Sequence, residues 1–266
     1  MSVFSVEREG NVAVVTMLAP SMGFEFFTEL PQVFRELDAD AAVRAIVLAG
    51  SGANFSFGLD LKDVAPMFTA LANGDADASA RTAVLAQVRE WQAAITAVAD
   101  CRTPVITAVD GWCIGGGIDL IAAADIRLAT ASAKFSVRET KVAIVADLGS
   151  LQRLVGIVGD GHLRELALTG GDIDSARAER IGLVNTVYAD AVELKDAALA
   201  TARAIAANSP LVVRGVKDVL DAERAPRVEA GLRYVATWNA AFLPSRDLGE
   251  AFAAFAERRP AEFTGE

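Results

Sequence analysis

DGWCIGGGIDLIAAADIRLAT, residues 110–130, is the stretch that decides the fold. It follows the apolar run PVITAV at residues 104–109 and places Gly115, Gly116 and Gly117 between a predicted strand and a predicted helix. Glycines at the start of a helix leave backbone N–H groups unobstructed beside the positive end of the helix dipole. The stretch therefore predicts a strand, a turn suited to a developing oxyanion, and a helix.

Apolar runs rich in Val and Ile alternate with helical patterns through the first two thirds of the chain. Strands are predicted at residues 12–17, 44–49, 104–109 and 126–130, and helices at residues 27–38 and 80–101. This alternation favours an α/β core. From residue 192 onward the pattern is almost wholly helical, with helices predicted at residues 194–208, 210–221, 228–243 and 247–258. We therefore expect a core at residues 1–191 and a helical region at residues 192–266.

Composition excludes several functional classes. The chain is 53% hydrophobic and 23% charged, which is typical of a globular protein with a substantial core. Its net charge of −10 and the lack of a basic stretch argue against a nucleic-acid partner. The N-terminus lacks a signal-peptide pattern, and three aspartates interrupt the most apolar stretch, so we expect no membrane span and a cytoplasmic location. The low-complexity residues 70–80 are predicted to form a mobile surface loop.

Few side chains are available for metal, redox or histidine chemistry. Cys101 and Cys113 lack CxxC spacing and are expected to be reduced, buried thiols. The single histidine, His162, follows a Gly-Asp-Gly turn and is more often structural than catalytic in that place. Neither a dinucleotide fingerprint nor a P-loop is present. No metal and no cofactor are therefore predicted.

A second glycine-containing loop, GANFSFGLDLKD at residues 52–63, also follows a predicted strand. N–H groups from the two loops can converge on one thioester carbonyl and stabilise its enolate by about 3 kcal/mol per donor. Glycines also serve merely to permit tight turns. That explanation suffices for one such loop but is less convincing for two.

Three carboxylates follow the triple glycine. Each has a structural alternative: Asp119 could complement a helix N-terminus, Glu139 could be a surface acid, and Asp147 could cap a following helix. However, Asp147 lies in the apolar run VAIVADLG, where an uncompensated carboxylate is costly. Carboxylates that share a low-dielectric pocket repel one another, so one acid stays protonated while another is ionised. One protonated and one ionised carboxyl group can together move a proton from one carbon to another.

These loops and acids resemble the crotonase (enoyl-CoA hydratase/isomerase) superfamily. The oxyanion-hole segments are similar to FSFGLDLKDV at residues 55–64 and to residues 110–130. Residues 135–156, 166–188 and 234–248 are more similar to the dienoyl-CoA isomerases of that superfamily. The resemblance covers nearly the whole chain, and the acids at positions 119, 139 and 147 are its most specific part.

The resemblance implies a reaction and a role for each residue. Leu59 and Gly116 would donate the oxyanion-hole N–H groups. Glu139 would remove a proton from carbon 2 of a 3,5-dienoyl-CoA, Asp147 would protonate carbon 6 to give the 2,4-dienoyl-CoA, and Asp119 would tune the pair. Further substrate contacts are expected from Phe57, Gly58, Asp60, Lys62, Gly115, Gly117 and Arg258.

The resemblance also implies an architecture and a set of partners. The superfamily fold is a spiral of repeated ββα units followed by a C-terminal helical region used in trimer formation, so a homotrimer or a hexamer made of two trimers is expected. The partner is an acyl-CoA substrate. Two alternatives remain: a hydratase in which Asp119 and Glu139 hold a water for addition to a 2-enoyl-CoA, and a non-catalytic acyl-CoA-binding homologue.

Overall fold

A computed structural model describes residues 2–71 and 76–266 and shows a mixed α/β architecture. The strands are β1 (Phe4–Glu9), β2 (Val12–Met17), β3 (Ser21–Met22), β4 (Ala45–Gly50), β5 (Gly58–Leu59), β6 (Val105–Val109), β7 (Trp112–Ile114), β8 (Ile126–Thr130), β9 (Lys134–Ser136), β10 (Ile173–Asp174) and β11 (Thr186–Tyr188). The helices are α1 (Phe24–Ala39), α2 (Leu61–Leu71), α3 (Ala78–Ala99), α4 (Gly116–Ala123), α5 (Ser150–Arg153), α6 (Val155–Val158), α7 (Asp160–Thr169), α8 (Ser175–Arg180), α9 (Ala191–Ala206), α10 (Pro210–Phe242) and α11 (Arg246–Glu257), with a 3₁₀ helix at Glu139–Val142. The centre of the predicted loop at residues 70–80 lies outside the described residues.

One six-stranded sheet carries both glycine loops. Its strand order is β1-β2-β4-β6-β8-β11, and every pair except β1 with β2 is parallel. All five residues of β6 are buried, as expected of a parallel strand covered on both faces. The loops after β4 and β6 leave the sheet at the same edge, because the carboxyl ends of parallel strands lie side by side.

Two smaller sheets hold the segments that follow. Strands β10, β9 and β7 form a three-stranded sheet, and β3 pairs in parallel with β5. These strands have only two or three residues each and lack a readable apolar period, which is why the sequence did not predict them. They place β5 and the start of α4 next to each other.

The predicted strands at residues 12–17 and 126–130 are confirmed and coincide with β2 and β8. The C-terminal region differs from prediction in one respect. Residues 210–221 and 228–243 were predicted as two helices, but α10 is a single helix with Pro226 inside it. The helix is anchored on both sides of the proline, through an ion pair of Lys217 with Asp125 and a hydrogen bond of Asn239 to Asp147. A proline inside a helix removes one backbone hydrogen bond, and α10 has these contacts on both sides of that position.

In the described residues, no helix is both long enough and apolar enough to cross a membrane.

Removing the Lys217–Asp125 ion pair should measurably lower the free energy of unfolding. The Lys217 Nζ lies 2.8 Å from Asp125 Oδ2, and the Lys217 side chain is 8% exposed. Replacing it (K217M) keeps most of the apolar stem but leaves the partly buried Asp125 carboxylate with the Val105 N–H and without its cation. We expect the free energy of unfolding to fall by about 1–3 kcal/mol in urea denaturation.

The matched control is R164M, which removes the exposed pair of Arg164 with Asp160. Exposed ion pairs contribute little, so this change should stay within about 0.5 kcal/mol of wild type. Equal effects of the two substitutions would contradict the anchoring role of Lys217.

Candidate active site

The two glycine loops touch through their backbones. Gly58 and Gly115 both have positive φ angles, of 78° and 53°, in a region that glycine adopts without strain. A Cβ atom on Gly58 would lie 3.0 Å from the Gly116 nitrogen and 3.0 Å from the Ile114 oxygen. A side chain at Gly58 would therefore force the loops apart.

Two backbone N–H groups lie at this contact between the loops. Gly116 is the first residue of α4, where N–H groups have no acceptor within the helix. The Asp60 N–H donates to the Met22 oxygen of β3. Leu59 directly precedes Asp60, and its N–H and that of Gly116 are the two N–H groups at this contact that were predicted to form an oxyanion hole.

Asp119 lies in the first turn of α4 and is 1% exposed. Its Oδ1 accepts a short hydrogen bond from the Ser150 N–H at the start of α5. Burial raises the pKa of Asp119, and the Ser150 N–H and the Arg153 guanidinium oppose that rise. Arg153 is itself buried, with its guanidinium donating to the Leu148 oxygen and to Thr96 Oγ1. Asp119 is therefore a buried acid between helix N-termini and a nearby cation.

Glu139 is the first residue of the 3₁₀ helix, and its side chain faces Gly115, the N-cap residue of α4. Its Oε1 lies 3.2 Å from where a Cβ on Gly115 would be, and its Oε2 is buried without a hydrogen-bond partner among the described residues. Burial raises the pKa of Glu139 to about 8, with further contributions from the charges of Asp119 and Asp147. The surface-acid alternative is therefore wrong for Glu139.

Asp147 lies in the segment between the 3₁₀ helix and α5, and although the residue as a whole is partly exposed, its carboxyl group is buried. Its Oδ2 accepts a hydrogen bond of 2.6 Å from Asn239 Nδ2 on α10. Burial raises the pKa of Asp147 to about 7, the Asn239 hydrogen bond opposes this, and the charge of Asp119 adds to it. The helix-cap alternative is wrong, since the N-cap of α5 is Gly149.

The other predicted site residues fall into two groups. Phe57 is 44% exposed beside the glycine contact, and Lys62 and Arg258 are exposed. In contrast, Asp60 Oδ1 accepts the N–H groups of the first turn of α2, and a Cβ on Gly117 would lie 2.9 Å from Ser56 Cβ. Asp60 therefore caps the start of α2, and Gly117 allows α4 to pack closely against Ser56. Neither Lys62 nor Arg258 contacts the three acids in the described part of the chain.

Sequence reasoning missed the residues that hold the acids. Ser150, Arg153, Gln92 and Asn239 are all buried and all lie within hydrogen-bonding range or electrostatic reach of Asp119 or Asp147. Gln92 and Asn239 could have been singled out in the sequence only as polar side chains on otherwise apolar helix faces. Their acceptors are far away in the sequence and could not be read from it.

The two cysteines are free and buried, as predicted. Burial raises the pKa of Cys101 to about 12. Within residues 2–71 and 76–266, no group of three His, Cys, Asp or Glu side chains is arranged to hold a metal ion.

Backbone donors beside buried carboxyl groups define a site that can stabilise an enolate and move protons. Residues 7–266 match the family model described as Enoyl-CoA hydratase/isomerase. The chain therefore belongs to the enoyl-CoA hydratase/isomerase family, the crotonase superfamily predicted from its loops, and it is an enzyme with the crotonase fold.

Two curated relatives and one solved structure illustrate the similarity. The chain is 44% identical to a mitochondrial Delta(3,5)-Delta(2,4)-dienoyl-CoA isomerase of Dictyostelium discoideum, over 90% of this chain and 81% of that protein. It is 42% identical to a peroxisomal Delta(3,5)-Delta(2,4)-dienoyl-CoA isomerase of Arabidopsis thaliana, over 91% and 87%. A crystal structure of an enoyl-CoA hydratase/isomerase from Pseudoalteromonas atlantica matches with a TM-score of 0.84 at 26% identity, covering 98% of this chain and 100% of that one.

The burial of Glu139 predicts how stability changes with pH. Its pKa in the folded protein lies above its ordinary value of 4.5. Its contribution to stability is therefore complete below the unfolded pKa and is lost as the pH rises through about 8. An uncharged replacement (E139Q) should gain stability over wild type as the pH rises from about 4.5 to about 8, by roughly 1.4 kcal/mol for each unit of the pKa shift, in urea denaturation.

Glu165 supplies the control of opposite sign. It is exposed, and the hydrogen bond from Arg177 lowers its pKa, so its contribution is present above the unfolded pKa and is lost as the pH falls. E165Q should lose stability relative to wild type as the pH rises. If E139Q shows no pH-dependent gain, Glu139 is not held in a poorly solvated site.

Proposed function

We propose that this enzyme converts a 3,5-dienoyl-CoA into a 2,4-dienoyl-CoA through an enolate. The observation that carries the proposal is a third buried acid, Asp147, in addition to Asp119 and Glu139. Hydration of a double bond requires two acids to hold one water. Moving a proton along a conjugated chain needs a base at one end and an acid at the other, and the third carboxyl supplies the second position.

The base is assigned to Glu139 because of where the oxyanion hole lies. The Gly116 N–H and the Leu59 N–H would hold the thioester oxygen. Carbon 2 is bonded to the thioester carbon, so the base must lie beside the same turn. Glu139 Oε1 approaches Gly115, the residue directly before Gly116, and no other acid approaches it as closely among the described contacts.

The proton transfer then balances in two steps. Ionised Glu139 accepts a proton from carbon 2, and the electron pair of that C–H bond delocalises over the diene and the thioester oxygen. Protonated Asp147 gives its proton to carbon 6, which moves the double bonds to the 2,4 positions. The cycle ends with Glu139 protonated and Asp147 ionised, and exchange with solvent restores the starting state. Burial raises the pKa of both acids, and the charge of Asp119 adds to the rise, so both titrate near neutral pH.

Coenzyme A enters this proposal only as part of the substrate, and no resident cofactor or metal is proposed. Phe57, Lys62 and Arg258 are the exposed candidates for contacts with the CoA moiety, together with the backbone at Gly58 and Gly115. The chain's cytoplasmic location stays a prediction from the sequence, while the two relatives are named as mitochondrial and peroxisomal proteins.

A homotrimer or a hexamer is proposed for the assembly. The support is a series of large apolar side chains that α10 leaves exposed, namely Leu211, Val212, Val216, Val219, Leu220, Tyr234, Trp238 and Phe242. Such a series along one helix is typical of a surface that another subunit covers.

Hydration of a 2-enoyl-CoA is the second candidate function. Asp119 and Glu139 both lie next to the glycine turn and are electrostatically coupled, which is the pairing that holding a water requires. The side chain at position 119 is an aspartate, one methylene shorter than glutamate. A non-catalytic acyl-CoA-binding protein is the third possibility, but it would not need three buried acids at an energetic cost.

A direct assay separates these functions. The purified protein is given a 3,5-dienoyl-CoA and, in parallel, a 2-enoyl-CoA, and absorbance follows the conjugated 2,4-dienoyl product. Rapid conjugation with little hydration supports the proposal. Hydration alone would establish the second candidate, and binding without either reaction would establish the third.

Replacing either transferring acid should separate chemistry from binding. E139Q and D147N retain the shape of each side chain but cannot take up or release the proton. We expect kcat for isomerisation to fall by about 10²–10⁴-fold. The dissociation constant for acyl-CoA should change little, because the oxyanion hole is made of backbone.

The control is D160N, which removes an exposed carboxylate that pairs with Arg164. Stopped-flow kinetics and isothermal titration on the three variants provide the comparison. A loss of binding in proportion to the loss of activity would contradict the assigned roles.

A further inference from the structure

Asn239 is a buried amide whose two N–H donors both reach the segment that carries Asp147. The side chain lies on α10 and is 2% exposed. Its Nδ2 is 2.6 Å from Asp147 Oδ2 and 2.8 Å from the Val145 backbone oxygen. Both hydrogens of the amide are therefore committed to this one segment.

The Val145 contact fixes which way the amide faces. A carbonyl oxygen can only accept a hydrogen bond, so the amide nitrogen, and not the amide oxygen, must lie next to it. The same nitrogen contacts Asp147 Oδ2. Asp147 Oδ2 therefore receives an N–H donor whether Asp147 is ionised or protonated.

This arrangement makes the two oxygens of Asp147 unequal. In a neutral carboxyl group the carbonyl oxygen is a better acceptor than the hydroxyl oxygen, so the oxygen that receives the N–H is the carbonyl one. The proton then occupies Oδ1. No side chain of residues 2–71 or 76–266 donates a hydrogen bond to Oδ1, and the other donor that acts on this carboxyl group is the backbone N–H of Asp147 itself.

We propose that Asn239 is a positioning residue that keeps the transferable proton of Asp147 on Oδ1. This inference rests on the proposed isomerase function, because it concerns the acid of that reaction. Asn239 does not touch the reacting atoms. It acts by holding one carboxyl oxygen so that the other delivers the proton.

Two side chains of α3 hold α10 in place for this role. Gln92 Nε2 donates to the backbone oxygen of Asp147 at 2.7 Å and to the Leu232 oxygen of α10 at 3.0 Å. Arg81 donates to the Ala240 and Ala241 oxygens near the end of α10. The main chain of Asp147 and the helix that carries Asn239 are thus tied to the same support. The position of Asp147 is fixed at its backbone as well as at Oδ2.

The hydrogen bond from Asn239 also affects the proton affinity of Asp147. Donation to the carboxylate stabilises its charged form and so lowers the pKa, against the effect of burial. The charged groups that act on this acid are Asp119, from α4, and Glu139, from the 3₁₀ helix. Gln92 and Asn239, from α3 and α10, are uncharged. Removing Asn239 should therefore raise the pKa of Asp147.

The test compares N239L with Q92L. Both remove a buried amide that holds Asp147, but only N239L removes the donor to its carboxylate. A carboxyl group with a higher pKa is a weaker proton donor and stays protonated to a higher pH. We expect N239L to raise the titration midpoint of Asp147 by about one unit and to lower kcat by about 10–100-fold with little change in KM. Q92L should leave the titration midpoint of Asp147 in place.

A second readout isolates Asp147 from Glu139. Exchange of the carbon 2 proton of a saturated acyl-CoA with D₂O requires the oxyanion hole and Glu139 but not Asp147. N239L should retain wild-type exchange while losing isomerisation. Loss of both activities together would overturn the proposal.

Two further experiments test the role of Asn239 separately from the proposed isomerase function. If N239L does not fold, N239D preserves the size of the side chain and should raise the pKa of Asp147 further through charge repulsion. Carbon-13 NMR of protein labelled at the aspartate carboxyl carbons, assigned by comparison with D147N, follows the titration of Asp147 without substrate. Inactivity of wild type on a dienoyl-CoA would reject the proposed function, whereas an unchanged Asp147 titration midpoint in N239L would reject the role of Asn239.

Discussion

The backbone contact between Gly58 and Gly116 is the constraint on which the site depends. It exists because two parallel neighbours, β4 and β6, release their loops at the same edge of the sheet. Only glycine allows the approach, since a Cβ on Gly58 would lie 3.0 Å from the Gly116 nitrogen. The contact brings β5 and the first residue of α4 together. The proposed oxyanion hole would consist of backbone N–H groups at this contact, which would leave the neighbouring side chains free for proton transfer.

Burying the three acids around this contact lowers the stability of the fold, but it also raises their pKa values toward the range in which they can exchange protons. Burial raises the pKa of all three, and hydrogen bonds from Ser150 and Asn239 limit the rise at Asp119 and Asp147. Glu139 has no such donor to Oε2 in the described structure, and its pKa is raised to the highest value. At Glu139, burial and the charges of Asp119 and Asp147 together outweigh the backbone hydrogen bonds that lower its pKa.

Local patterns predicted the parts of the fold that depend on local physics. The apolar runs gave β2 and β8 at their observed bounds, and the glycines marked both loops. The short strands β3 and β5 depend on each other across the chain, and the continuity of α10 through Pro226 depends on contacts at both of its ends. The acids were recognised because their type and surroundings are visible in the sequence. Gln92 and Asn239 were missed because they bond to residues 55 and 92 positions away.

The division of labour between Glu139 and Asp147 is the central claim, and isotope placement tests it most directly. The reaction of a 3,5-dienoyl-CoA is run in D₂O for a single turnover, and the product is examined by NMR and mass spectrometry. If Asp147 has exchanged its proton with solvent before the transfer, the product carries one deuterium at carbon 6. Transfer of the carbon 2 hydrogen itself to carbon 6, with no deuterium taken up, would show that one group serves both ends and would contradict the account.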